Sequence, residues 1–204
     1  MRSWLRDLFW GARIRLVFLL IRMLPLVSPR HDYWGMRTYL GIADSSQIER
    51  AKNQLRLAIA CIAQFDPRRF ARLKADLRGI LVHPFSRGVG ARYNPSTRLC
   101  ELSPSAAMAK DFVAIACLIV HEGTHARLRR VRSADADRRV QIERTCLLQE
   151  IAFLECVPRT ESRIEATRAV MRDLRAEDYT NAAQWSSMLA EWKTATAPSQ
   201  HPSH

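Results

Sequence analysis

Apolar residues recur along this chain with two periods, and the switches between them mark its elements. DSSQIERAKNQLRLAIACIAQF carries the three-to-four residue spacing of an amphipathic helix, and Ser46 with Glu49 reads as a capping box at its start. Pro67 opens a second, shorter helix that runs to about Asp76. LRGILVHP then has a β-branched core around Ile80 and Val82. GVGARYNPSTRLCELSP reads as a hairpin, with strands near 91–93 and 98–102 joined by the turn Asn94-Pro95-Ser96-Thr97. Beyond Ser105 the pattern is helical, with breaks at about 131–136, at Pro158 and at 177–180. Residues 31–43 lack a clear period and read as an irregular connection containing aromatic residues. A few strands ahead of a central helix, flanked by further helices, predict an α+β fold. No internal repeat is present, and the polar tail 196–204 reads as disordered.

The first thirty residues stand apart from this domain, which is expected to cover 31–195. Arg13, Arg15 and Arg22 interrupt the apolar stretch, and its longest unbroken run, LVFLLI, is far short of the roughly 20 residues a bilayer span needs. Arg22 also splits the apolar centre that a signal peptide would require, and no A-x-A-like cleavage site follows. Two readings remain. Trp4, Phe9, Trp10 and the arginines could hold an interfacial helix on an anionic membrane surface, or the helix could pack on its own domain.

Composition narrows the partners. With 204 residues and 48% hydrophobic content the chain can bury a sizeable core. A formal charge of +12 favours an acidic partner. The basic residues are scattered and do not alternate with aromatic rings as a stacking platform would, so no nucleic-acid partner is expected. The five cysteines (Cys61, Cys100, Cys117, Cys146, Cys156) are dispersed, without a C-x-x-C pair. They read as buried thiols in a reducing compartment, which suggests a cytoplasmic protein, peripheral to the inner membrane face if the first segment binds lipid. On this reading, any metal chemistry rests on histidine and carboxylate.

Candidate chemistry centres on HEGTH, residues 121–125. The preceding AKDFVAIACLIV is apolar on every side, so the pentapeptide lies within a buried helix or near its end, at the edge of a core. His121 and His125, four residues apart on a helix, share one face and can aim two imidazoles at one point. Glu122 is spaced to take a proton from a water on a metal held there. A third ligand is sought downstream, where Val140, Cys146, Leu147, Leu154 and Val157 fall on one helical face with Glu143 and Glu150 in its middle. Carboxylates on an apolar stripe need a partner. Seven residues separate the two, about 10.5 Å along a helix, so they do not easily reach one ion together. One would be the ligand, the other a partner of an arginine or of a ligand.

HEGTH with a later helical glutamate resembles the gluzincin branch of the zincin metallopeptidases, over roughly residues 80–157. The resemblance implies one zinc ion held by His121, His125 and a downstream glutamate, with Glu122 as general base. Glu143 lies eighteen residues beyond His125, close to the separation usual in that branch, and is chosen over Glu150 for that reason. The third histidine of the metzincin pattern is missing. So is the aspartate often found four residues after the ligand glutamate, where this chain has Leu147. The resemblance also implies a strand at the rim of the cleft where an extended peptide or protein substrate can add, a place GARYNPSTRLCELSP occupies; a plain surface hairpin fits the same residues. The leading expectation is a zinc-dependent hydrolase acting on peptides. A non-catalytic metal-binding domain and a basic membrane-surface or nucleic-acid-binding helical protein are the rivals. Tyr179, His83 and Tyr93 are oxyanion donors by residue type alone, and none is assigned the role.

Overall fold

A computed structural model describes residues 23–85, 89–128 and 136–175. These form an α+β fold in which one face of a five-stranded mixed sheet packs on the longer helices, while the short helical stretch 23–27 brings Leu24 to the other face. In chain order the elements are β1 (Arg30–Tyr33), β2 (Met36–Leu40), α1 (Ser45–Phe65), α2 (Pro67–Asp76), β3 (Gly79–Val82), β4 (Ala91–Asn94), β5 (Leu99–Leu102), α3 (Pro104–Ala107), α4 (Phe112–Leu128), α5 (Ala136–Leu154) and α6 (Glu161–Asp173).

The sheet order is β1-β2-β3-β5-β4. The three central strands run parallel, and an antiparallel strand closes each edge. Side chains alternate across it. Ile80, Val82, Cys100 and Leu102 face the main core with Leu55, Ile59, Ile115 and Ile119 of α1 and α4, while Tyr39, Leu81 and Leu99 face the other way. β4 forms an outer edge and packs on α4, the helix that carries HEGTH.

Two local readings are corrected. Residues 31–43 are not irregular: β1 and β2 form a hairpin through Trp34 and Gly35, both at positive φ (53° and 83°). A two-residue turn of that kind usually announces itself with Asn-Gly or Asp-Gly. Here Asp32 precedes it instead, its carboxylate accepting from the Gly35 amide at 2.7 Å, and a tryptophan occupies the first strained position. The helix cap is likewise Asp44 and not Ser46. The Asp44 carboxylate accepts from the backbone amides of Ser46 and Gln47, and Glu49 pairs with Lys52.

The boundary drawn at residue 30 also cuts through packed structure. Leu24 lies against Tyr39, Leu81 and Leu99, and the Pro29 carbonyl accepts from the Leu40 amide. Residues 24–30 thus belong to the domain; the first 22, like the tail and Tyr179, lie outside the described residues.

Candidate metal centre

α4 is buried almost throughout, as its unbroken apolar sequence demands: Ile115 to Val120 are all 8% exposed or less. Its register carries the motif into the same environment, with His121 3% and Glu122 7% exposed and His125 half-buried. Gly123 lies on the opposite side of the helix, where a Cβ would come 1.9 Å from Leu73 Cδ2, so the glycine lets α2 pack closely on α4. That side also borders a polar hollow lined by Arg69, Arg72, Arg127 and Gln149, turned away from the histidines.

The two imidazoles converge. Their ring centroids are 4.9 Å apart and their Nε2 atoms 3.2 Å apart. α5 packs alongside α4 and supplies the rest. Glu143 Oε2 lies 3.1 Å from His121 Nε2, and Glu143 Oε1 lies 3.3 Å from His125 Nε2. Glu150 Oε1 lies 2.6 Å from the other nitrogen of His121, Nδ1. The difficulty of seven residues between the carboxylates is met by the width of the imidazole ring: each carboxylate takes one of its nitrogens. Cys146, one turn beyond Glu143 and fully buried, completes the group, its Sγ and one nitrogen of each histidine all lying within 4.8 Å of one another.

The donor set fits a zinc ion. Bonds of about 2.0–2.1 Å to nitrogen and oxygen in a tetrahedron put neighbouring donors roughly 3.3 Å apart. His121 Nε2 and His125 Nε2 lie 3.2 Å apart, and Glu143 sets one carboxylate oxygen against each of them, Oε2 at 3.1 Å and Oε1 at 3.3 Å. Cys146 with the same two histidines makes a second set, its three donor atoms within 4.8 Å of one another.

Without an ion the same groups bind protons. Burial opposes charge on His121, but hydrogen bonds to Glu143 and Glu150 outweigh it and push its pKa up to about 10. Burial opposes charge on His125 too, and its contacts with Cys146 and Glu143 raise it to about 10. Two imidazolium rings with nitrogens 3.2 Å apart repel, so we assign the pair one firmly held proton, on His121 between its two carboxylates. Glu143 is buried against its own charge and is held far below the carboxylate range by the two histidines. Burial pushes the Cys146 thiol up to about 11, against the pull of His125.

Glu122, the residue after His121 on α4, is 7% exposed, and its charge raises the pKa of both His125 and Cys146. His83 is elsewhere. It sits on the far face of the sheet, with Nε2 3.3 Å from Glu101, a fully buried carboxylate also bound by Arg92 and Asn94 at 2.6 Å each. Tyr93 lies on the α4 side of the sheet, packed against the main core, and its hydroxyl has no partner among the described residues.

Cys146 is the residue that sequence reasoning passed over. It had been read as one more buried thiol, yet it stands three residues after Glu143, on the face already singled out for its glutamates. Cys61, Cys100 and Cys117 belong to the main apolar core; Cys146 belongs to none of the apolar clusters. Compared with family models, with curated proteins and with solved structures, the chain matches none.

Proposed function

We propose that the chain is a zinc-dependent hydrolase of the zincin type, acting on peptide bonds, with His121, His125 and Glu143 as metal ligands and Glu122 as general base. The reading rests on one observation: two histidine nitrogens 3.2 Å apart, close to the donor spacing around a tetrahedral zinc, meet a carboxylate of a neighbouring helix that reaches both. When bound, zinc supplies Lewis-acid polarisation of a carbonyl and an acidified water.

The residues of the chain do the rest. Glu150 holds His121 Nδ1, fixing the tautomer in which Nε2 presents its lone pair to the cluster. Glu122, buried next to His121 in sequence, accepts a proton from the attacking water and can return it to the leaving amine. β4, at an open edge of the sheet against α4, offers backbone groups to which an extended peptide could add as a sixth strand. A membrane-surface role for the N-terminal segment draws support from Met23, Leu26 and Val27, exposed where the described chain begins, and no described helix is long and apolar enough to cross a membrane.

The test is elemental analysis of the purified chain after zinc supplementation, followed by hydrolysis of a casein or peptide library by wild type and Glu122→Gln. One zinc per chain with turnover confined to the wild type supports the reading. Absence of metal removes it, and one zinc without turnover in either protein leaves a metal-binding domain.

A further inference from the structure

The geometry points to Cys146 as a fourth protein donor to the same ion, so that His121, His125, Glu143 and Cys146 together close the coordination shell. This deepens the metal reading above and rests on it.

Three observations carry the inference. Cys146 lies three residues after Glu143 on α5, so both project from one face of that helix toward the two histidines. Its sulfur is already gathered with a nitrogen of each histidine within 4.8 Å, a distance that small rotations of buried side chains can close to the roughly 3.6 Å expected between nitrogen and sulfur around a tetrahedral zinc. Finally, packing does not account for it. A buried cysteine usually acts as a small apolar filler, as Cys61, Cys100 and Cys117 do here, whereas Cys146 is fully buried outside every apolar cluster, with its sulfur within 4.8 Å of a nitrogen of His125.

Coordination breaks the S–H bond, forms a metal–sulfur bond and releases one proton to solvent. The consequence is functional. Structural zinc sites are closed by four protein donors, whereas catalytic ones keep a position for water. With the thiolate in place the ion has no such position, so turnover requires Cys146 to withdraw and give its place to water. In the opened state three ligands and Glu122 form the hydrolytic arrangement.

The full chain, stripped of metal and loaded with one equivalent of cobalt(II), gives the test. A thiolate ligand produces a sulfur-to-cobalt charge-transfer band in the near ultraviolet beside the visible ligand-field bands. We expect that band in the wild type and in Cys156→Ser, which removes the one exposed thiol, and its loss in Cys146→Ser with the ligand-field bands retained. Ligand-field bands without charge transfer in the wild type would overturn the fourth donor and leave the three-ligand site standing. Persistence of the band in Cys146→Ser would overturn it too. If the wild type takes up no cobalt or zinc, the metal reading and this inference fall together. X-ray absorption of the zinc-loaded wild type needs no variant: a metal–sulfur distance of about 2.3 Å is expected, and a shell of nitrogen and oxygen alone refutes the inference.

Discussion

Glu150 and Glu143 grip opposite nitrogens of a single imidazole, His121, at 2.6 and 3.1 Å. The ring thereby becomes a spacer between a carboxylate on the side shared with His125, where we propose the ion binds, and one that stands behind it. The two therefore predict different phenotypes. Glu143→Ala should abolish stoichiometric zinc binding, whereas Glu150→Ala should weaken it by about 10–100-fold, the usual loss on removing an outer partner of a ligand histidine. Competition titration against a chromogenic chelator measures both. The reverse order would exchange their roles.

His121→Ala and His125→Ala should each lose more affinity than Glu150→Ala does, because each deletes a donor outright. Glu122→Gln should keep one zinc per chain and lose about 10²–10⁴ in turnover, the usual worth of a positioned acid–base group. Metal analysis and peptide hydrolysis on the same preparations separate the two effects. A fully active Glu122→Gln protein would sink the mechanism.

Stability of the metal-free chain should fall on the alkaline side. The pKa of His121 is raised from 6.5 to about 10 by folding, so its ion pairs contribute fully below about pH 6.5, and the contribution is lost as pH rises through about 10. Glu143, shifted the other way, contributes above its ordinary value of 4.5 and loses that contribution as pH falls below it. Zinc should invert the alkaline trend: ligation needs neutral imidazoles, so affinity rises with pH and binding releases protons. Melting curves in chelator and in zinc across this range test the pair of slopes. A metal-free Tm that climbs from neutral to alkaline pH would contradict the assignment.

Glu101 provides a contrast on the other face of the sheet. Its carboxylate is fully buried and bound by Arg92, Asn94 and His83, which hold it below the usual range against the cost of burial. Glu101→Ala should destabilise the fold by about 3 kcal/mol, the lower end for breaking a buried pair, since Arg92 is partly exposed. Zinc stoichiometry should not change. Loss of metal in a folded Glu101→Ala protein would mean that the two faces are coupled.

The N-terminal boundary is also testable. A chain starting at Met23 keeps Leu24 and all of β1, and should melt cooperatively near the full-length Tm. One starting at Asp32 loses Leu24 from the cluster with Tyr39, Leu81 and Leu99, together with the first two residues of β1, and should melt lower. If residues 1–22 seek lipid, full-length protein should co-sediment with anionic vesicles at low salt and partly release at high salt, and the chain starting at Met23 should not. Equal sedimentation of the two would dismiss the anchor.

What the sequence disclosed and what it hid follow from how far each signal reaches. The helices, the β3 strand and the β4–β5 hairpin were legible because their periods and turn residues are local. The β1–β2 hairpin was hidden by Trp34, which occupies a strained turn position without the residue type that marks it. The parallel pairing of β2 with β3 leaves no local trace, since α1 and α2 intervene. In the cluster, spacing alone put both histidines on one face, and it set two glutamates seven residues apart too far along the helix to reach one ion together easily. That they share a ring, and that the cysteine between them meets the two histidines, depends on how α5 lies against α4.

The pairing of α4 with α5 has a last consequence, for the order in which the chain assembles. Every group in the cluster lies between residues 121 and 150, whereas the sheet must bring together strands as far apart as residues 30 and 102. Closing a short loop between two helices costs little entropy, and local contacts form ahead of distant ones. An ion captured during synthesis could clip the helical hairpin while the sheet is still searching for its register. Zinc should then speed refolding as well as raise the melting point, and a metal that altered only the unfolding rate would show that the site forms after the sheet.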